Sequence, residues 1–330
     1  MLPIFKAYSI KDLLQHFPDK KLEKAGGIKV KVVDVCVIGH VTRDIIKINN
    51  RERVLPGGTA YYTSIALKNL GLNVAVVTKI GNSDRYLLND LNKNNIVVFL
   101  KVDSVTTVFE NSYDGYFKRK SCRMQKVQSI ARPFFIEDIP DVTPMIFHIG
   151  SLTKGDVPPE VLKFLAKKSI ISLDVQGFVR EVVQGCVKVK DWEIKEEALS
   201  FVDILKANEE EAKILTGEKD MKRAARTLSA FGPKEVIITS GSNGSLIYCQ
   251  GEFYSIPSYP PERIVDPTGC GDTYIAGYLY KRLKSSTSSP DFTDIGKFSA
   301  ATASLKLKRH GPFEGTGEDV EDFLKMRDEI

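Results

Sequence analysis

The stretch IVDPTGCGDTYIAG, from Ile264 to Gly277, sets one carboxylate directly behind a Gly-Cys-Gly turn and directly ahead of an apolar-periodic segment. Ile264 and Val265 read as the end of a strand, and Asp266-Pro267-Thr268-Gly269 reads as a turn that cannot continue it. Past Asp272, apolar residues recur at Ile275, Leu279 and Leu283, with Ala276 and Tyr280 beside them, which is helical spacing. Gly269, Cys270 and Gly271 therefore stand at a helix N-terminus, where unpaired N–H groups and the helix dipole favour an anion and glycine permits its close approach. An acid beside a bound anion is useful only if it acts on the group attacking that anion, by accepting a proton from a hydroxyl. The same residues also suit a plain helix-capping aspartate, and the rest of the chain must decide.

Apolar runs of strand length alternate with helix-period segments along most of the chain. Val32–Ile38, Val74–Val77, Ile96–Leu100, Ile146–Ile149, Ile170–Leu173, Ile204–Ala207 and Val236–Thr239 read as strands. Between them, Ala60–Leu70, Tyr86–Leu91, Pro159–Lys168, Glu209–Leu215 and Lys222–Phe231 read as helices. Such alternation predicts an α/β fold, a mostly parallel central sheet flanked by helices, with ligands gathered at the carboxyl ends of the strands. Two segments break the rhythm, Asp44–Val54 and Thr106–Met124, the second alternating Val108, Phe109, Tyr113, Tyr116 and Phe117 around Asp114-Gly115. They read as hairpins, either a small β-sheet lid that excludes water or ordinary surface ribbons. Residues 1–30 form an N-terminal extension of unknown role, and residues 31–330 the main domain.

Composition excludes several classes. The chain has 330 residues, 42% of them hydrophobic, enough for a large core, and its 47 basic and 42 acidic residues are interspersed, which argues against nucleic acid as a partner. Without an 18-residue apolar stretch or a signal-peptide pattern, the expectation is a cytoplasmic protein with no membrane partner. Five cysteines lie far apart with no C-x-x-C pair, against a disulfide framework or zinc site. No G-x-x-x-x-G-K-[ST] loop or H-R-D loop occurs, and a dinucleotide fingerprint fails at Tyr274, where its third glycine belongs.

What remains is a set of small sites at strand ends. VIGHVTRD supplies Gly39, Thr42 and Asp44; LPGGTAYY puts Gly57-Gly58 at the start of a helix; LKANEEEA holds Asn208 and Glu211 three apart at a strand-to-helix junction; IITSGSNGS carries Thr239, Gly241 and Gly244. Read alone, Glu211 is equally a first-turn glutamate complementing the helix dipole, and Asp44 a surface turn acid.

In this order the motifs resemble those of the ribokinase-like (pfkB-type) carbohydrate kinases, over about residues 31 to 330. The resemblance implies a three-layer sandwich with a small lid sheet, and transfer of phosphate from ATP to an alcohol of a sugar or cyclitol. Asp272 would be the general base and Gly269, Cys270 and Gly271 the anion hole; Thr268, Asn208, Thr239, Gly241 and Gly244 would contact the nucleotide. Asn208 and Glu211 would place Mg²⁺, in part through water. A monovalent cation such as K⁺ often sits beside the anion hole in this family, on carbonyls near Asp266 and a C-terminal loop, here near Arg309-His310-Gly311. Asp44, Gly57, Gly58 and Tyr62 would hold the acceptor. Thr42 and Tyr62 stand where ribokinases usually carry Asn. LDVQGFVR, with Asp174, Gln176 and Arg180, is similar to the inositol kinases of the family and makes myo-inositol the leading acceptor, ahead of ribose or a nucleoside. Arg180 reads equally well as a surface helix residue. A homodimer through the lid belongs to the same set of expectations, and a non-catalytic ligand-sensing member is the rival outside enzymology.

Overall fold

The computed structural model of the chain describes residues 33–48, 51–113, 123–285 and 290–328. The N-terminal extension, the Asp114-Gly115 turn, Tyr116 and Phe117 lie outside the described residues. In chain order the first strands are β1 Val35–Ile38, β2 Thr42–Ile48, β3 Arg51–Gly57, β4 Val74–Gly81, β5 Val97–Asp103, β6 Val108–Tyr113, β7 Arg123–Ser129 and β8 Ile146–Gly150. There follow β9 Ile170–Asp174, β10 Arg180–Val183, β11 Cys186–Val189, β12 Ile204–Asn208, β13 Glu235–Thr239, β14 Ser245–Cys249 and β15 Glu252–Ile256.

Nine strands form the central sheet in the order β15-β14-β13-β12-β9-β8-β1-β4-β5. Pairing is parallel from β13 through to β5, and at one edge β14 pairs antiparallel with both β13 and β15. Successive strand side chains point to opposite faces, and here both faces are apolar. Val35 and Val37 enter one core with Ile65, Ile275, Leu279 and Phe298. Cys36 and Ile38 enter the other with Leu162, Leu165, Leu215 and Leu228. The first layer is built by helices Thr59–Asn69, Cys270–Lys284, Phe292–Leu307 and Gly317–Asp328; the second by Pro159–Ala166, Lys195–Leu199, Glu209–Thr216 and Met221–Ala230. The result is the three-layer α/β sandwich that the alternation predicts.

A second sheet of six strands, β10-β11-β7-β6-β2-β3, lies over the carboxyl ends of the first. The expected segments 44–56 and 106–124 supply β2, β3, β6 and β7 to it. The third piece, the β10–β11 ribbon, was not expected, and it corrects the reading of Arg180 as a helix position: Arg180 opens β10 opposite Val189. Phe109, Val127 and Leu152 pack beneath this sheet, against Val182 and Val187. Ile264 and Val265 also differ from expectation. β15 ends at Ile256, and the two residues lie in the loop that follows, 60% and 37% exposed, with the Val265 N–H donating to the Leu307 carbonyl. They read as strand because β-branched pairs favour one, but among the described residues no strand pairs with them.

Candidate active site

One cavity of about 220 Å³ opens between the two sheets, lined by Asp44, Gly58, Tyr62, Gln176, Arg180 and the whole of Pro267–Asp272, with Phe109 and Gln125 from the second sheet. Gly57 lies just behind it: a Cβ there would stand 2.4 Å from Asp44 Oδ2, so only glycine lets the aspartate fold back across β3. The Thr42 hydroxyl donates to Asp44 Oδ1 at 2.7 Å, fixing the carboxylate. Gly58, at φ 88, begins the helix Thr59–Asn69, which carries Tyr62 to the cavity wall. The Tyr62 ring lies so close to Gly269 that a Cβ there would meet it at 2.4 Å, so the helix beginning at Thr59 and the Pro267–Asp272 loop are in direct contact.

The Pro267–Asp272 loop leads into a helix start as expected, with one adjustment. Gly269 is left-handed, at φ 74, and the helix runs Cys270–Lys284, starting ahead of Asp272. The first-turn N–H groups of a helix have no partner within it, which leaves Gly271 and Asp272 facing the cavity as donors. The Cys270 N–H instead donates to the Pro267 carbonyl at 3.2 Å and closes the turn. The Cys270 thiol points away, to the Ala303 carbonyl at 3.8 Å, and burial pushes its pKa up, so it is no nucleophile.

Burial, reinforced by the Asp174 carboxylate, pushes Asp272 up to about 6, while Lys206, a hydrogen bond from the Thr59 side chain and Arg180 pull the other way. A carboxylate poised there is a better proton acceptor near neutrality than one at the ordinary aspartate value. Lys206 and Thr59 were not singled out in the sequence. Lys206, 5% exposed, donates from Nζ to Asp174 Oδ2 at 2.6 Å, and Gly271 is so close that a Cβ on it would lie 3.2 Å from Nζ. Burial alone would lower the lysine, but Asp174 and Glu211 outweigh it and hold its pKa above the ordinary value. Burial likewise works to raise Asp174, and Lys206 with the Gln176 N–H brings it below the ordinary range. His148 lies under this pair with Nδ1 3.1 Å from Ser172 Oγ, pushed down to about 4 by burial. The one available signal was a lysine between the apolar residues Leu205 and Ala207 of β12.

The remaining predicted residues stand outside the cavity. Asn208 and Thr239 are register partners at the carboxyl ends of β12 and β13. Asn208 and Glu211 form a reciprocal capping box: Asn208 Oδ1 accepts from the Glu211 N–H and Glu211 Oε2 from the Asn208 N–H, both at 2.8 Å. The local reading of Glu211 thus holds, and one carboxylate oxygen is left over. Burial and the Asp174 charge raise the Glu211 carboxyl. That set suits Mg²⁺ held mainly by donor phosphates and water, with a single carboxylate behind it. Gly241 and Gly244 are both left-handed; Gly244 lies against the Ile256 carbonyl, 2.1 Å from where a Cβ would stand, whereas Gly241 faces open space.

The expected monovalent cation does not fit. The Asp266 carbonyl already accepts from Lys306 Nζ at 2.7 Å, and Asp266 Oδ2 lies 3.5 Å from the same ammonium. Burial works to raise the Asp266 carboxyl, but the N–H groups of Thr268 and Gly311, with Lys306, hold it below the ordinary range. An ion on these oxygens would have to share them with the buried Lys306 ammonium.

The chain belongs to the pfkB family of carbohydrate kinases, whose pattern it matches over residues 146–316, and is a phosphotransferase acting on an alcohol. It is 32% identical to a cytidine kinase of Thermococcus kodakarensis over 75% of this chain and 88% of that one. An inositol 3-kinase of Arabidopsis thaliana is 28% identical, over 79% of this chain and 71% of that one. Among solved structures, a pyrophosphate-dependent kinase in the ribokinase family, complexed with a pyrophosphate analog and myo-inositol, superposes with a TM-score of 0.76 at 28% identity, over 87% of this chain and 99% of that one. The class is therefore sugar or nucleoside kinase. Among the described residues no helix is long and apolar enough to cross a membrane.

Proposed function

We propose that the protein transfers a phosphoryl group from ATP to a hydroxyl of a cyclitol, myo-inositol first. The observation that carries the reading is Asp272, raised to about 6, standing in one cavity with the anion loop on one side and Asp44 on the other. An acceptor hydroxyl between them gives its proton to Asp272 as its oxygen attacks the terminal phosphorus of ATP, the bond from that phosphorus to the bridging oxygen breaks, and ADP leaves. The first-turn N–H groups and the Lys206 ammonium meet the charge that develops on the transferred group. Glu211 and Asn208 would hold a Mg²⁺ ion, which would supply neutralisation of donor phosphate charge. Thr268, Thr239, Gly241 and Gly244 receive the donor, and the exposed Ile264 and Val265 offer apolar surface to a base.

Three observations favour a single polyhydroxylated ring. The cavity of about 220 Å³ is small for a ligand site, where roughly 300–1,000 Å³ is usual. Asp44 can accept from two adjacent hydroxyls, and Tyr62 and Phe109 supply aromatic walls. The myo-inositol-bound relative points the same way. The cytidine kinase relative favours a second reading, a nucleoside acceptor. A coupled assay of myo-inositol, ribose, adenosine and cytidine, each with ATP and with pyrophosphate, decides both ends of the reaction. Higher kcat/KM for cytidine than for myo-inositol overturns the acceptor, and turnover with pyrophosphate alone overturns the donor. The proposal extends to a homodimer through the lid, where Ile48, Val54 and Leu55 are exposed, and to the cytoplasm as its location. Sedimentation and cell fractionation test those two points.

A further inference from the structure

The Lys306 ammonium occupies ground that an alkali cation would otherwise need. Its side chain is 1% exposed, near the end of the helix Phe292–Leu307, and reaches under the anion loop to the Asp266 carbonyl at 2.7 Å. The same helix end holds the turn by a second bond, from the Val265 N–H to the Leu307 carbonyl at 2.8 Å. Asp266 is further tied to its own turn through the Thr268 N–H on Oδ1 at 2.9 Å, with His310 Nδ1 3.8 Å from Oδ2. A second cation placed against these oxygens would meet the ammonium at close range with little water to screen the repulsion. Burial works to lower the Lys306 ammonium below its ordinary value, while the Asp266 carboxylate and hydrogen bond, with Cys270 and Asp272, pull the other way.

We infer that Lys306 replaces a bound monovalent cation, holding the Asp266–Gly269 turn in its anion-binding form, so that the enzyme works without potassium or sodium. Lys306 is a positioning residue: it touches neither acceptor nor donor and acts through the loop whose N–H groups do. The inference rests on the kinase reading for its activity arm and on geometry alone for its stability arm.

The test uses the full chain in tetramethylammonium chloride and in potassium chloride at matched ionic strength, with the best acceptor of the panel above. Wild-type kcat is expected to agree within about twofold between the two salts, with Tm unmoved. Lys306→Ala leaves room for an ion, and its kcat should fall about tenfold or more in tetramethylammonium with acceptor KM nearly unchanged. Potassium should restore much of that kcat and raise the variant's Tm by mass action. Wild-type enzyme that requires potassium overturns the inference, and so does a variant whose kcat or Tm ignores the salt. Should Lys306→Ala not fold, the wild-type comparison still decides. If no acceptor is turned over in either salt, the kinase reading has failed, while the Tm response to potassium still judges Lys306.

Discussion

Lys206 and Asp174 are register partners on adjacent parallel strands, their side chains 2.6 Å apart beside the cavity that holds Asp272. Both are nearly sealed from water. Removing one member of such a pair strands the other charge, at a cost of about 3–5 kcal/mol, whereas removing both can be close to neutral. Lys206→Met should therefore lose much of the stability measured by urea unfolding, and adding Asp174→Asn should return most of it. Equal stabilities for the single and double variants would deny the coupling.

For Asp272 the expectation covers rate and pH together. Asp272→Asn keeps the shape and removes the base, so kcat should fall by about 10²-fold or more with ATP binding retained. In the wild type the working form is the carboxylate, raised to about 6. kcat/KM should accordingly fall as pH drops through about 6, well above the ordinary aspartate range. The stability sign is opposite: a raised carboxyl favours the folded state below its unfolded pKa and loses that contribution as pH rises through about 6, so Asp272→Asn should have the higher Tm at neutral pH. An acid limb near 4 in the rate profile would contradict the assignment.

In the anion loop the two neighbours should behave unlike each other. Cys270→Ala removes a thiol that faces the Ala303 carbonyl and leaves the turn intact, so most activity should remain. Gly271→Val drives a branched side chain toward Lys206 Nζ, 3.2 Å from its Cβ, and should abolish turnover while the far-ultraviolet circular dichroism stays that of the wild type.

The capping box allows its structural part to be separated from any role toward the metal. Glu211→Gln retains an acceptor for the Asn208 N–H, so Tm should hardly change. It loses the charge, so the Mg²⁺ concentration for half-maximal rate should rise. A large drop in Tm with an unchanged Mg²⁺ requirement would make the residue purely structural.

Asp44 should act on one substrate only. Asp44→Ala is expected to raise KM for every acceptor by roughly 10–100-fold, from lost hydrogen bonds to a charged group at about 1.5–3 kcal/mol, and to spare ATP affinity by calorimetry. Weakened ATP binding would place the aspartate on the wrong side of the site.

Local sequence determined the parallel strands, most flanking helices and the position of Asp272, because each rests on short-range physics: side-chain periodicity, the backbone freedom of Gly269, and the unpaired N–H groups of a helix start. It also placed the Asn208–Glu211 pair at a helix start, where their spacing alone closes the capping box. It misread Ile264-Val265, since a β-branched pair carries no sign of whether a partner strand exists. Tertiary structure alone decided what faces Asp272. Thr59, Asp174 and Lys206 come from three separate elements and reach it only because β9 and β12 are neighbours in the sheet and the helix beginning at Thr59 packs beside Asp272. The β10–β11 ribbon joined the second sheet through its pairing with β7, and Lys306 met Asp266 across 40 residues of chain. Such contacts depend on strand order and helix packing, which are set by the burial of the whole apolar surface and leave no mark at spacings of two, three or four residues.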